Sequence, residues 1–535
     1  MKHGWAWWRV GLAGLLIAAL ALASTLATNA AATPVTARAA AGPPDASTYR
    51  AIDGHIERQM RELRIPGVAL AIVHGDQIAH ARGFGVLGPD GRPVTATTPF
   101  QIASVLKPMT GVAVMQLAEA GNLDLDAPVR RYIPWFRVAD EAASAQITPR
   151  HLLYHTSGLP QAVGVEYALG GDARPDAIEA RVRELRTVRL SRPVGAAYEY
   201  SNAGYAVLGL LIQTVSGQPY AEYMREHVFA PLQMHGASLD WEEARRRGAA
   251  TGYRFWFGAP QPERLAIDRG LAPAGSGASA SAEDVAHFVI AQLNGGRFGD
   301  TAVLSPEGVA AMQRPTLAAA AGDSFAMDWS VSRVGGTAAV IKGGSLADFK
   351  SQIVLLPELR LGLVVLINTN RQFDAALGDA RLPMLAYNVA ELLLGQPPTV
   401  LAASLAPTLI YAAIFVVVSA QVAGMVRAVA LLRRRRHQPS PELHGRAAAV
   451  RWRWLPPIVS LLWGLFALIG IPALFGAPLS YCVYMAPDLF TVLIISGGVA
   501  LLWTALHAAL IWPLPRRPAA TAASPAQPAQ KGALQ

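Results

Sequence analysis

The sequence of 535 residues has one cysteine, few charged side chains and no cofactor motif. The single Cys482 excludes an internal disulfide, so hydrophobic burial must stabilise any folded domain. No glycine-rich phosphate loop, metal-ligand spacing or long-period repeat is present. We therefore expect no bound nucleotide, no metal and no other cofactor.

Charged residues are scarce and unevenly distributed along the chain. Only 16% of the residues are charged, while 52% are hydrophobic. Residues 401–535 carry eleven basic and two acidic residues, and residues 1–400 carry thirty-five of each. The C-terminal segment therefore accounts for the whole net charge of +9. A charge surplus confined to an apolar segment indicates membrane topology, and nucleic-acid binding has no support.

The N-terminus has the pattern of a secretory signal. Basic residues precede an almost wholly apolar run from Val10 to Ala23, and small residues follow it. We expect a signal peptide over residues 1–32, with an uncleaved membrane anchor as the alternative. Residues 33–46 are rich in Ala and Pro and are typical of a linker.

Three long apolar runs are present near the C-terminus. They cover residues 405–426, 455–475 and 489–512, and each is about twenty residues long, the length that crosses a bilayer. A linker over residues 396–404 precedes them, and a disordered cytoplasmic tail is expected over residues 513–535. The sequence thus predicts three transmembrane helices, and these offer a surface for a homodimer.

Arginine clusters determine the expected orientation of these helices. Arg433–Arg436, Arg451 and Arg453 lie between the first two runs, and Arg516 and Arg517 follow the third. The positive-inside rule places all of them in the cytoplasm. The domain before residue 400 then faces the periplasm or the outside of a bacterial inner membrane, as the signal peptide also indicates.

The candidate nucleophile is Ser104, which lies three residues before Lys107. Apolar residues recur at helical intervals from Val105 to Leu117, so both side chains fall on one face of a first helical turn. A nearby lysine can take the proton of a serine hydroxyl when its own pKa is lowered. Alone, however, a Ser-x-x-Lys spacing is a weak signal.

Extended runs surround this helix in the chain. A predicted helix over Ala46–Leu63 is followed by two strands, 67–73 and 77–83, and two further strands are expected at 352–356 and 362–368. We predict an α/β fold in which an antiparallel sheet is flanked by helices and joined to a mainly helical lobe. Both ends of the domain would then meet in one sheet.

Three stretches together resemble the serine beta-lactamase and penicillin-binding-protein superfamily, in its class C beta-lactamase, D,D-carboxypeptidase and esterase branch (serine peptidase family S12). They are Phe100–Lys107, Tyr198–Tyr205 and Val340–Ser345, and the connecting run Leu152–Pro160 resembles the family too. The resemblance covers about residues 45–395, the expected hydrolase domain of residues 47–395. It implies acyl-serine chemistry but identifies no substrate.

The resemblance implies roles for the second stretch. Tyr200 would lie beside Ser104 and act in proton transfer, either as a phenolate or by sharing a proton with Lys107. A tyrosine ordinarily titrates near 10, so a phenolate requires a cationic neighbourhood, which Lys107 and Lys342 would supply. Asn202 would hydrogen-bond a substrate amide. His155 is either a general base or, as we favour, part of a structural turn.

The third stretch is expected to form one wall of the cleft. Lys342 would act on an anionic substrate group, and Gly344 would let a substrate backbone approach. The backbone N–H groups of Ser104 and Ser345 would form the oxyanion hole. Gly343 replaces the threonine found in many beta-lactamases, which weakens the case for a beta-lactam substrate. Asp348 is either a solvated loop acid or a receptor for a substrate ammonium.

The whole layout resembles membrane-bound peptidases that remove an N-terminal acyl-D-amino-acid cap from a nonribosomal-peptide prodrug. We therefore expect a membrane-anchored serine hydrolase acting on a small peptide, amide or ester. The alternatives are a D,D-carboxypeptidase, an esterase or a beta-lactamase of the cell envelope. An alternative of another class is a penicillin-recognising sensor, which would acylate once and deacylate slowly.

Overall fold

The structure is a computed structural model, and it describes residues 44–318, 323–371, 379–437, 448–474 and 478–511. The expected signal peptide, most of the first linker and the cytoplasmic tail lie outside the described residues. The described chain forms two compact units. One holds the residues up to Ala413 together with Pro472–Val492, and the other holds Ile414–Ile471 with the chain from Leu493 onward.

An antiparallel sheet organises the first unit. It has eight strands in the order β2-β1-β14-β13-β12-β11-β10-β9. The bounds of its strands are Gly67–His74 (β1), Gln77–Gly85 (β2), Leu317–Ala318 (β9), Ser324–Phe325 (β10), Ser330–Val334 (β11), Thr337–Ser345 (β12), Lys350–Leu356 (β13) and Leu361–Ile367 (β14). Short two-stranded pairs complete the set: Phe100–Gln101 (β3) with Ser279–Ala280 (β6), Gly252–Trp256 (β4) with Ala259–Glu263 (β5), and Arg297–Phe298 (β7) with Thr301–Ala302 (β8).

The first and last strands of the unit lie side by side in the sheet, as its second and third strands. β1 pairs with β14 from Val68 opposite Ile367 to His74 opposite Leu361. Both strands are apolar on both faces, because each face is covered by packed helices. The prediction that the two ends of the domain meet in one sheet is therefore confirmed, as is the predicted fold class.

Alternate residues of β1 serve two separate cores. Leu70 belongs to a core in which helices α1 (Ala46–Leu63) and α12 (Arg381–Leu393) cover one face of the sheet. Ala71 belongs to the larger core on the opposite face, under helix α10 (Ala282–Leu293) and the helical lobe. The period of two along a strand divides its side chains between the two faces in this way.

The remaining helices build the lobe and its connections to the sheet. Their bounds are Leu106–Glu119 (α2), Glu141–Ser144 (α3), Pro149–Leu153 (α4), Gln161–Gly170 (α5), Ala177–Glu184 (α6), Asn202–Ser216 (α7), Tyr220–Met224 (α8), Trp241–Arg246 (α9) and Pro306–Gln313 (α11). Short 3-10 turns occur at Ala103–Val105, Val129–Arg131, Leu185–Thr187, Arg269–Ala274 and Pro357–Leu359. The lobe is mainly helical, as predicted.

The C-terminal helices match the three predicted apolar runs. Their bounds are Ala406–His437 (α13), Ala448–Leu465 (α14), Ile471–Leu474 (α15), Leu479–Met485 (α16) and Pro487–Ile511 (α17), with a π-helical turn at Phe466–Gly470. The segments Thr408–Val426, Pro457–Leu474 and Pro487–Leu506 are long and apolar enough to cross a membrane.

Polar side chains connect these helices within the second unit. Trp463 Nε1 donates to Ser496 Oγ over 2.8 Å, and Gln421 lies 3.2 Å from the same hydroxyl. The three residues come from α14, α17 and α13, respectively. Hydrogen bonds of this kind hold apolar helices together where hydrophobic burial gives no net attraction between them.

Leu70→Ala is expected to destabilise the hydrolase unit by about 2–5 kcal/mol, because it leaves a cavity in a core where Leu70 is fully buried. Thermal unfolding of the purified full chain, followed by intrinsic fluorescence, measures the change. Gln77→Ala, at an exposed position in the neighbouring strand, is the matched control and should leave the melting temperature unchanged. Equal melting temperatures for Leu70→Ala and the native chain would contradict the burial of Leu70 in this core.

Candidate active site

The turn that carries Ser104 is held in a sparsely populated backbone conformation. Ala103, just before it, has a φ of +49° although it is not glycine. Gly275 packs against this turn with a φ of +105°, and a Cβ at Gly275 would lie 2.0 Å from the Ala103 carbonyl oxygen. The N–H of Ile102 donates to Ala278, and the Ile102 carbonyl accepts from Ser351. Neighbouring segments thus fix the direction of the Ser104 hydroxyl.

The hydroxyl oxygen of Ser104 lies within hydrogen-bond distance of both Lys107 and Tyr200. Lys107 Nζ lies 2.9 Å from Ser104 Oγ, and Tyr200 OH lies 2.8 Å from the same oxygen. Lys107 also donates to the Ala274 carbonyl over 2.7 Å and is fully buried. The structure therefore brings together the three residues predicted to be catalytic, although Ser104 lies in the 3-10 turn that precedes α2 rather than in α2 itself.

Burial has opposite effects on the two proton-handling groups. It lowers the pKa of Lys107 well below its ordinary value, and Lys342 lowers it further while Asp328 opposes the shift. Burial raises the pKa of Tyr200 well above 10, and the negative charge of Asp328 adds to this. This direction of the Tyr200 pKa disfavours the phenolate alternative, because desolvation and the charge of Asp328 both favour the neutral phenol. The alternative in which Tyr200 shares a proton with Lys107 stays a prediction, and both groups contact the same Ser104 oxygen.

Asp328 is a functional candidate that the sequence analysis missed. It lies in the turn between β10 and β11, fully buried, with Oδ1 2.7 Å from His155 Nε2 and Oδ2 2.7 Å from Lys342 Nζ. Its pKa stays below the ordinary value because these cationic and hydrogen-bonding partners outweigh its burial. The only local signal in the sequence is that Asp328 stands between the apolar residues Met327 and Trp329. This position indicates a buried carboxylate but does not identify the groups that it contacts.

His155 has the structural role that we favoured. Its Nδ1 accepts the backbone N–H of Ser201 over 3.1 Å, so Nε2 carries the proton and donates to Asp328. Burial lowers its pKa and favours the neutral ring. His155 also has a φ of +56°. The His155 ring thus anchors the segment that carries Tyr200. The centroids of the His155 and Tyr200 rings are 4.6 Å apart.

The Lys342 strand approaches the nucleophile closely. A Cβ at Gly344 would lie 2.6 Å from the Ile102 carbonyl oxygen, so glycine here admits the chain's own Ser104 turn rather than a substrate backbone. Lys342 faces Asp328 and lies 5.4 Å from the Tyr200 ring centroid. Its charge is therefore balanced inside the protein, and its action on a substrate anion stays a prediction.

A second lysine on the neighbouring strand was also missed. Lys350 Nζ donates to Ser345 Oγ over 3.0 Å. Burial lowers the pKa of Lys350 to about 8, so both charged and neutral forms exist near that pH. Ser345 itself lines the cleft, as the oxyanion-hole prediction requires, and the role of its N–H stays a prediction.

A cleft that is open to solvent lies beside Ser104, and its enclosed volume is about 60 Å³. Its lining includes Asn202, whose side-chain Oδ1 has no hydrogen-bond partner among the described residues. An unpaired buried carbonyl oxygen is able to accept the N–H of a substrate amide, the role predicted for Asn202. Among the described residues, no cluster of three or more His, Cys, Asp or Glu side chains could hold a metal.

The fold and this arrangement of serine, lysine and tyrosine are typical of hydrolases that act through an acyl-serine. The chain belongs to the Beta-lactamase family, whose model matches residues 52–387. It is 28% identical over 324 residues to Protein flp of Staphylococcus aureus (strain MW2). That match covers 60% of this chain and 63% of the relative, less than two thirds of its length.

Two solved structures show the same fold. The octameric penicillin-binding protein homologue from Pyrococcus abyssi is 26% identical, with a TM-score of 0.56 over 65% of this chain and 78% of that one. The class C beta lactamase from Rhodobacter sphaeroides is 25% identical, with a TM-score of 0.53 over 64% of this chain and 99% of that one.

Asp328→Asn is expected to lower stability by about 3–5 kcal/mol, because it leaves the buried Lys342 ammonium without its counter-charge. The double variant Asp328→Asn with Lys342→Met should recover part of this loss. Thermal unfolding of the full chain checks both, and Asp323→Asn at an exposed position is the matched control. A double variant less stable than Asp328→Asn alone would show that the ion pair is not what Asp328 supplies.

Proposed function

We propose that this protein is a membrane-anchored serine hydrolase that cleaves amide or ester bonds through an acyl-enzyme on Ser104. The observation that carries the proposal is the contact of the Ser104 hydroxyl with both Lys107 and Tyr200 in a desolvated site. The three apolar helices support the anchoring, and the arginine clusters and N-terminal signal support a catalytic domain outside the cytoplasmic membrane.

In the proposed reaction, Lys107 is the base. Ser104 Oγ forms a bond to the substrate carbonyl carbon while its proton passes to the neutral Nζ of Lys107. The N–H groups of Ser104 and Ser345 stabilise the oxyanion. The bond to the leaving group then breaks. The leaving group takes its proton from the Tyr200 hydroxyl, and the Lys107 ammonium returns a proton to that oxygen. Water then attacks the carbonyl carbon of the acyl-enzyme in the same way, which releases the acid and restores the Ser104 hydroxyl.

The finer proposal concerns the substrate. The order of signal peptide, hydrolase domain and three apolar helices supports a peptidase that removes an acyl-D-amino-acid cap from a prodrug outside the cytoplasm. Asn202, with its unpaired oxygen, would accept the amide N–H on the acyl side. A D,D-carboxypeptidase, an esterase and a beta-lactamase use the same chemistry, and the following experiment separates them.

Ser104→Ala is expected to abolish acylation and turnover while expression and membrane insertion persist. The full chain is mixed with a fatty-acyl-D-asparagine amide, a D-Ala-D-Ala peptide, a short-chain ester or a penicillin, and intact mass and product release are followed. Ser216→Ala, at the far end of helix α7, is the control.

Selective turnover of the D-asparagine amide supports the finer proposal. Turnover of the D-Ala-D-Ala peptide or the penicillin instead would replace it with an envelope peptidase or a beta-lactamase. A stable penicillin adduct without any turnover would indicate a sensor. Hydrolysis by Ser104→Ala would overturn the assignment of the nucleophile.

The acylation rate is expected to rise with pH through the lowered pKa of Lys107, since only its neutral form accepts the serine proton. The midpoint of this rise should lie below 10.5, the ordinary pKa of lysine. Single-turnover rates across pH measure it. Tyr200→Phe should reduce turnover by about two to four orders of magnitude but keep the rising limb. A pH profile that is unchanged in Lys107→Arg would contradict the role of Lys107.

A further inference from the structure

A segment that follows the second apolar helix forms part of the hydrolase unit. Residues Pro472–Val492, which include helix α16, cluster with the residues up to Ala413. In the sequence, this segment is only the short stretch between the second and third apolar runs. The structure gives it a helix that packs against α5, and Cys482 within it is 1% exposed. A loop that merely joined two membrane helices would have no reason to bury its side chains in an enzyme domain.

The β4–β5 hairpin holds this segment at two points. Arg254 Nη1 donates to the Tyr484 carbonyl over 2.7 Å. The backbone N–H of Phe257 donates to Asp488 Oδ2, also over 2.7 Å. Arg254 is further fixed by an ion pair with Glu263 on the facing strand. Hydrogen bonds with one charged partner are stronger than neutral ones, so the hairpin determines where α16 lies.

Tyr484 projects from α16 into the catalytic cleft. Its side chain lines the cleft that holds Ser104, together with Asn202, Ser345 and Asp348. Burial raises the pKa of its phenol, and Asp348 raises it further, while a backbone hydrogen bond from Ala347 acts against this. Tyr484 is therefore a neutral aromatic wall next to the loop that carries Asp348.

Asp348 is a buried acid that lacks a full set of partners. It lies between β12 and β13 and is 2% exposed, which excludes the solvated loop acid of the sequence analysis. Its Oδ1 has no hydrogen-bond partner among the described residues. The charged groups that act on its pKa are Arg254 and Glu263, which pair with each other. Burial raises its pKa to about 7, so it is ionised at slightly alkaline pH.

We propose that Asp348 and Tyr484 form a subsite that recognises a positively charged amino group of the substrate. Asp348 Oδ1 accepts a hydrogen bond from the ammonium, and the Tyr484 ring packs over the cation or its aliphatic stem. The segment between the second and third apolar helices is thereby part of the substrate site. Tyr484 is then a specificity residue contributed from outside the contiguous hydrolase sequence.

An ammonium fits this subsite better than other groups do. A carboxylate or phosphate would be repelled by Asp348. A neutral donor would satisfy the free oxygen but would leave the buried charge uncompensated, which is costly at low dielectric. An ammonium supplies both a donor and a counter-charge, and aromatic rings attract cations.

This inference rests on the proposed hydrolysis at Ser104, and the test separates the two. Aryl esters that carry a primary amine on the acyl or the leaving-group side, at several chain lengths, are each paired with the neutral N-carbamoyl analogue. The ratio of kcat/KM within each pair is measured at pH 8 for the full chain and for Asp348→Asn.

The native protein should prefer at least one amine by tenfold or more, and Asp348→Asn should reduce that ratio to near one through KM while it still hydrolyses the neutral esters. Tyr484→Ala should reduce the ratio severalfold, and Ser480→Ala, exposed in the same helix, should not change it. A ratio that is the same in the native protein and Asp348→Asn, or no preference at any length, would overturn the subsite.

Stability supplies a second readout. Because the pKa of Asp348 is higher in the folded than in the unfolded chain, the folded state binds more protons between about pH 4 and 7, and Asp348 destabilises it increasingly as pH rises through that range. Asp348→Asn should therefore melt no lower than the native chain at pH 8. A marked loss of stability at pH 8 would show a structural role for Asp348 instead.

No hydrolysis of any ester and no acylation of Ser104 would mean that the proposed function itself fails.

Discussion

The buried negative charge of Asp328 is the interaction on which the rest of the site depends. It lies 2.7 Å from Lys342 on the sheet and 2.7 Å from His155 in the lobe, so one carboxylate joins the two halves that form the cleft. Its field also affects both proton-handling groups, because it favours the ammonium of Lys107 and disfavours a phenolate on Tyr200. A neutral phenol and an easily deprotonated amine follow from this balance of desolvation and charge.

The sequence predicted what depends on local spacing. The Ser104–Lys107 pair and Tyr200 lie in short motifs, and the apolar runs of β1 and β14 predict that the two ends of the domain meet in one sheet, where these strands pair. The three apolar helices follow from length and composition alone. The predicted fold class is confirmed on these grounds, whereas the roles of the site residues await the experiments above.

What the sequence could not show are contacts between distant segments. Asp328 contacts His155, from which it is separated by 173 positions in the sequence. Arg254 contacts Tyr484, from which it is separated by 230 positions. Neither pair lies in a motif, and nothing in the residues around Tyr484 indicates an enzyme cleft. The sequence also could not predict that the pKa of Tyr200 is raised. The motifs indicated nearby lysines, but they did not show how far the Tyr200 hydroxyl is buried away from water.

The division of the hydrolase unit between two stretches of chain has a consequence for its biosynthesis. The ribosome releases residues 44–413, with the sheet and Ser104, well before residues 472–492. The nucleophile is thus in place while one wall of the cleft is still unsynthesised. The proposed subsite for an amino group is therefore complete only after α16 has been translated and lies against the β4–β5 hairpin.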